Sequence, residues 1–193
     1  VAIAPQSKGA TQVALLSRFP IRRLRVHLSV AVAVNPGRSA LPPVKLWGSR
    51  EMIDAEIEVK SASEIIRVIA SHWKSQSGGE RETEARRIQS AALLRTMLSV
   101  TDGDLQTQIV GDLNEDVREL DQHGGTYPTA LLPYDTMMAG PERIPPTARS
   151  LCVTSDPAKA GIRSQGVVLF SPWLTNPTPG TYFHAGRWER LDQ

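Results

Sequence analysis

The stretch Ile65–Asn114, IIRVIASHWKSQSGGERETEARRIQSAALLRTMLSVTDGDLQTQIVGDLN, holds the pattern on which the fold turns. Branched apolar residues between polar ones from Ile65 to Ala70 read as a strand, which ends at Ser71-His72-Trp73-Lys74-Ser75. After Ser75-Gln76-Ser77-Gly78-Gly79 the period changes. Glu82, Glu84, Arg86 and Arg87 share the next segment with Ile88, Ala91, Leu94 and Leu98 at spacings of three and four. That spacing predicts an amphipathic helix over 80–98, about five turns long. Its acidic start and the basic residues further along suit the helix dipole. Thr101-Asp102-Gly103-Asp104 reads as a turn, and Leu105–Val110 as a short apolar strand that delivers the chain into Gly111-Asp112-Leu113-Asn114. Strand, helix, strand and polar loop in that order make this an α/β chain.

Upstream, Gln12–Pro20 reads as a short apolar strand closed by a proline turn. In Arg25–Val34, the residues Val26, Leu28, Val30, Val32 and Val34 fall on one face at period two, opposite His27 and Ser29. Asn35-Pro36-Gly37 breaks that strand, and 35–49 reads as a loop. Asp54–Val59 and Ile65–Ala70 are two further strands, read as a hairpin. Downstream, glycines and prolines make 124–150 irregular, Gly166–Phe170 is another strand, and Pro172–Pro179 a loop. The closing GTYFHAGRWERLDQ, Gly180–Gln193, reads as a hairpin turning at Ala185-Gly186.

The chain has 193 residues, 40% hydrophobic and 22% charged, which fits one globular domain and excludes disorder and a collagen-like repeat. Lys and Arg number 22 against 20 Asp and Glu, so no global charge calls for a polyanionic partner. Cys152 stands alone, which rules out an intramolecular disulfide. Val26–Val34, the longest apolar run, is far shorter than the roughly 20 residues of a spanning helix. Neither a signal-peptide pattern nor an internal repeat is legible. His27, His72, His123 and His184 have no zinc-like spacing.

Three segments hold candidate chemistry. Asp112, at a strand end beside a glycine, and Asn114, on the same side at period two, offer a carboxylate and a carboxamide to a divalent cation, a water or a phosphate oxygen. The same four residues also make an ordinary turn. His72 can give a proton or hydrogen bond to a phosphoryl oxygen with Lys74 beside it, or can be a half-buried histidine at a sheet edge. In Gly186–Asp192, Asp192 on a strand could orient a catalytic histidine; equally, the segment is a solvated hairpin with Trp188 on the sheet.

Together the motifs ALLSRFPI (Ala14–Ile21), SHWKSQSGG with the Glu/Arg-rich helix after it (Ser71–Leu98), GDLNE (Gly111–Glu115) and GTYFHAGRWERLDQ make the sequence resemble the endonuclease/exonuclease/phosphatase superfamily. That group includes deoxyribonuclease I, apurinic-site endonucleases, neutral sphingomyelinases and inositol polyphosphate phosphatases. The resemblance implies a four-layered α/β sandwich and a metal-dependent phosphoesterase, a phosphodiesterase or nuclease first, using Mg²⁺ or Mn²⁺ for in-line attack of water. In those terms Asp112 positions or deprotonates the water and Asn114 contacts the phosphate and helps hold the metal. His72 stabilises the transition state or assists the leaving group, and Asp192 orients the family's main histidine.

The sequence departs from the family in three places. It has no Gln-Glu pair before ALLSR and no closing Ser-Asp-His segment, and Ser71 stands where many relatives have Asn. The resemblance therefore implies that residues 1–193 are one partial domain from the middle of a longer enzyme, and inactive as they stand. The expected partner is a phosphoester: nucleic acid, phospholipid or inositol phosphate. The alternative is a binding module that keeps the fold without turnover. A weaker third reading, a nucleic-acid binder, rests on Arg22-Arg23, Arg86-Arg87 and exposed tryptophans. Secreted and cytoplasmic placements are equally compatible with the sequence, and it leaves the oligomeric state open.

Overall fold

A strand, a helix and a strand form over 65–110 in the expected order, and the rest of the architecture is arranged around them. A computed structural model of the chain describes residues 1–3, 13–27, 51–59, 64–77, 80–100, 105–122, 129–134, 151–163, 166–175, 182–184 and 187–189. In chain order these form β1 (Ala2–Ile3), β2 (Ala14–Leu15), β3 (Ile21–His27), β4 (Met52–Val59), β5 (Glu64–Ala70), α1 (Glu80–Ser99) and β6 (Thr107–Val110). There follow α2 (Glu119–Gln122), β7 (Leu131–Pro133), β8 (Leu151–Thr154), β9 (Gly161–Arg163), β10 (Gly166–Phe170), β11 (Tyr182–His184) and β12 (Arg187–Glu189). The fold is mixed α/β.

One four-stranded sheet has the order β3-β4-β5-β6. β3/β4 and β4/β5 are antiparallel, the latter pairing Ile53 with Ala70 and Val59 with Glu64. β5 and β6 are parallel, Arg67 opposite Thr107 and Ala70 opposite Val110, so the connection between them must cross over, and α1 is that crossover. A second four-stranded sheet has the order β7-β8-β10-β9, with β7/β8 and β8/β10 parallel and β9/β10 antiparallel. β1 pairs with β2, and β11 with β12, His184 opposite Arg187. That last pair agrees with the expected C-terminal hairpin.

Alternation divides the first sheet between two cores. Ile53, Ala55 and Ala70 face Val13, Leu15, Ile21 and Val26. Met52 and Ile69 point the other way, into a larger cluster with Ile88, Leu94 and Met97 of α1 and Leu131, Leu151 and Val167 of the second sheet. Each fully buried leucine there contributes about 1.5–3 kcal/mol through water exclusion. On this same inner face Arg67 donates Nε and Nη2 to Asp54 Oδ1 and Oδ2, both at 2.8 Å, and reaches the Met97 carbonyl at 3.2 and 3.3 Å. Burial alone would raise the Asp54 pKa; the Arg67 fork outweighs it and holds the carboxyl below its ordinary value. The pair ties the sheet to the C-terminal part of the helix.

Several expectations need correcting. The strand expected from Arg25 starts at Ile21, because Arg22 and Arg23 are held across the sheet by Glu58 at 2.9 Å and Glu56 at 2.8 Å. Its continuation past His27 and the loop 35–49 lie outside the described residues. α1 runs to Ser99 and has no basic residue in its last turn. Nor is it amphipathic in the expected sense: Glu84, Arg87, Gln89 and Ser90 are buried along with the apolar face. The second β-strand of the crossover is shorter than expected, starting at Thr107. β7 falls within 124–150, expected as irregular chain, and β8 was not anticipated. Parallel strands buried on both faces are continuously apolar, without the alternation that would reveal them, and the burial of Leu131, Leu132, Leu151, Cys152 and Val153 accounts for the miss. No helix among the described residues is long and apolar enough to cross a membrane.

Candidate active site

The ends of β5 and β6 run side by side beyond the sheet. Ser71 N–H donates to the Val110 carbonyl at 3.0 Å and Trp73 N–H to the Asp112 carbonyl at 2.9 Å, which extends the parallel ladder into the motif residues. Gly111 has φ +122°, and a Cβ there would stand 2.0 Å from the Ser71 carbonyl oxygen. Both the conformation and the close approach therefore require glycine.

The period-two geometry expected for Asp112 and Asn114 does not hold. The strand ends at Val110, and Asn114 sits at φ +52°, a left-handed conformation that asparagine tolerates better than most residues. Asp112 Oδ1 accepts from Asn114 N–H at 2.8 Å, closing a turn through the aspartate side chain. Asn114 is buried and donates Nδ2 to the Trp73 carbonyl at 3.3 Å, so it locks the turn to the neighbouring segment. The turn reading and the site reading thus describe the same atoms.

His72 and Asp112, both partly exposed, come together: Nε2 lies 3.8 Å from Oδ2. That is too long for a direct hydrogen bond and close enough for strong attraction if the imidazole is protonated. Lys74, expected to add a positive charge beside His72, bonds within its own segment. Its Nζ donates to the carbonyls of Ser75 and Ser77 at 3.0 and 2.7 Å, closing its own loop. Asp192 lies outside the described residues. Of the residues on which nucleic-acid binding was expected to rest, Trp73 and Arg87 are buried, while Arg22 and Arg23 are exposed and paired with Glu58 and Glu56.

Directly beneath the turn is a charged cluster that the sequence reading did not identify. Arg87 Nε donates to Glu115 Oε2 at 2.5 Å and Nη2 to Glu84 Oε2 at 2.5 Å and Glu119 Oε1 at 3.4 Å; Nη1 reaches the Lys74 carbonyl at 3.4 Å. The far oxygens of Glu84 and Glu115 accept from Ala130 N–H at 2.8 and 2.9 Å, at the entry to β7. One guanidinium thus faces three buried carboxyl groups. Burial pushes the Glu84 pKa up to about 7 and Glu115 well above the usual range. For Arg87 burial works against the charge, but Glu115, Glu84 and Glu119 outweigh it and raise its pKa. Glu84 and Arg87 stand three residues apart, the spacing of a helical ion pair, and that was the available signal.

The three carboxylates lie within 4.8 Å of one another, close enough to hold one cation. The Arg87 donors already point at an oxygen of each, so a metal at this position would have to share them with a positive charge. Asp112 offers a better fit. Its half-exposed carboxylate is a hard oxygen donor open to solvent, and Mg²⁺ is commonly held by one or two carboxylates plus substrate oxygens and water.

A mixed α/β chain with a histidine and a carboxylate paired at adjacent strand ends is the class that fold and site define. No family model matches the chain, and no curated protein matches it. Among solved structures it is similar to sphingomyelinase C from Streptomyces griseocarneus, at 19% identity and a TM-score of 0.44, over 92% of this chain and 49% of that one. The chain spans about half the length of that structure.

Proposed function

We propose that this chain belongs to a metal-dependent phosphoesterase, a phosphodiesterase or nuclease first, built on the four-layered deoxyribonuclease I-like sandwich as one partial domain. The observation that carries the reading is the 3.8 Å approach of His72 Nε2 to Asp112 Oδ2 on a turn stiffened by Gly111 and Asn114. In this reading Asp112 orients the attacking water and, with Asn114, provides oxygen ligands for Mg²⁺ or Mn²⁺. The ion, when bound, neutralises charge on the phosphate oxygens. His72 donates a hydrogen bond to a phosphoryl oxygen, and Asp112 keeps the imidazole oriented. Asp192 orients a further histidine supplied from elsewhere in the protein. Phosphoryl transfer asks mainly for positioning and charge stabilisation, and a rigid turn beside a partly exposed imidazole supplies both. The substrate is a phosphoester of nucleic acid, phospholipid or inositol phosphate.

Hydrolysis of bis(p-nitrophenyl) phosphate, plasmid DNA and sphingomyelin by the full-length gene product, with Mg²⁺ and with EDTA, tests this. Turnover that needs metal and falls at least about 100-fold in Asp112→Ala is the expected result. A second reading, a phosphate-binding module without turnover, draws on the burial of Asn114 and the use of its amide on the Trp73 carbonyl. A folded protein inert on all three substrates would favour it.

A further inference from the structure

Arg87 has no path to solvent and no place in the chemistry above, yet its arms end on the two segments that carry the reacting groups. Through Nη1 it holds the carbonyl of Lys74, two residues beyond His72; through Nε it holds Glu115, three residues beyond Asp112. Nη2 returns to Glu84 on its own helix, and Glu84 and Glu115 converge on Ala130 N–H of the second sheet. The guanidinium therefore fixes, from below, the spacing of the two strand ends whose upper surfaces present His72 and Asp112.

Burying one cation with three carboxyl groups is an expensive way to fill a core, since apolar side chains of equal volume often do as well or better. What the planar fork supplies that apolar groups cannot is direction: separate donors aimed at separate partners in a fixed plane. The turn is bonded to the β5 end by the ladder to Ser71 and Trp73 and by the Asn114 amide. Trp73 and Leu113 also pack with Ile88 and Leu94 of α1, a non-directional contact that buries both segments against the helix without aiming either one.

We propose that Arg87, acting with Glu115, is a positioning residue that holds His72 and Asp112 at their working separation. The inference rests on the phosphoesterase reading for its kinetic consequence, though not for its structural one. Arg87→Lys keeps the charge and loses the fork, since an ammonium cannot span Lys74 O and Glu115 together. In the full-length protein this variant is expected to lower kcat about 100-fold with KM nearly unchanged, the penalty of a displacement of about 1 Å. Glu119→Gln alters the same cluster at the longest of its ion-pair contacts, Arg87 Nη2 to Glu119 Oε1 at 3.4 Å, and leaves the bonds to Lys74 and Glu115 in place. It is expected to lower the unfolding midpoint with less than a threefold change in kcat at a temperature well below that midpoint. If kcat tracks the unfolding midpoint across both variants, the role is structural only and the proposal fails.

A second readout needs no turnover. Asp112→Asn should move the His72 ring-nitrogen NMR signals in the parent chain, and should move them far less in the Arg87→Lys background. Equal movement in both backgrounds overturns the proposal. A full-length protein that is folded and inert on all three substrates, with the NMR difference still present, overturns the phosphoesterase reading and leaves the positioning role standing.

Discussion

The α-carbon of Gly111 faces the Ser71 carbonyl so closely that a β-carbon added to it would stand 2.0 Å from that oxygen. The contact is backbone on backbone, with no flexible side chain to give way, and φ at +122° is a region that L-residues avoid. Gly161 has nearly the same φ, +123°, with nothing within 4 Å of the added atom. The pair separates strain from collision. Gly161→Ala should cost the conformational penalty alone, about 1–3 kcal/mol. Gly111→Ala should cost more than that and also pull the turn away from β5, lowering any turnover. Chemical denaturation of both variants checks the order; equal losses would mean that the Ser71 contact relaxes at no cost.

The buried carboxyl groups predict a stability that declines toward alkaline pH. Glu84 ionises in an unfolded chain near 4.5 and in the fold near 7, so the folded state holds its proton the more tightly. That preference stabilises the fold fully below 4.5 and is lost as pH rises through 7. Glu115, shifted in the same direction by burial, extends the decline to higher pH. Unfolding midpoints measured from pH 5 to 9 should therefore fall, and Glu84→Gln, which cannot ionise, should flatten the part of the slope centred near neutrality. A variant with the parent's slope would show that Glu84 is already ionised throughout that range.

What the sequence conveyed about these groups depended on how local their interactions are. The strand ends at Ser71 and Val110, the long helix and the C-terminal hairpin follow from spacing within a few residues, and they were legible. β7 and β8 were not, because burial on both faces erases alternation. The burial of Arg87 was not legible because, beyond Glu84 one turn away, its partners lie 28 residues away at Glu115 and 32 at Glu119, and a helical charge is recognised as buried only when such partners are known. His72 and Asp112 were named individually. Their approach depends on the parallel pairing of β5 with β6, which the crossover order permits and period two alone does not specify. Asn114 illustrates the opposite limit: period two placed it beside Asp112, and a left-handed backbone at the strand end turned it inward.

Ser71, where the resembled family commonly has Asn, carries a buried hydroxyl with no hydrogen-bond partner among the described residues. A buried polar atom left unpaired costs about 1–3 kcal/mol relative to one that is bonded. The backbone of Ser71 does bond, to Val110, and presses against Gly111, so the residue is held in place by its main chain and not by its side chain. Ser71→Ala deletes the oxygen and leaves that backbone frame intact. The expected outcome is a gain of about 1 kcal/mol, the desolvation recovered less the packing of one small atom. In a chain of this size that raises the unfolding midpoint by about 2–4 °C. A loss of similar size would show that the hydroxyl is bonded in solution, and solvent-exchange NMR of the Ser71 hydroxyl proton would then identify it as protected.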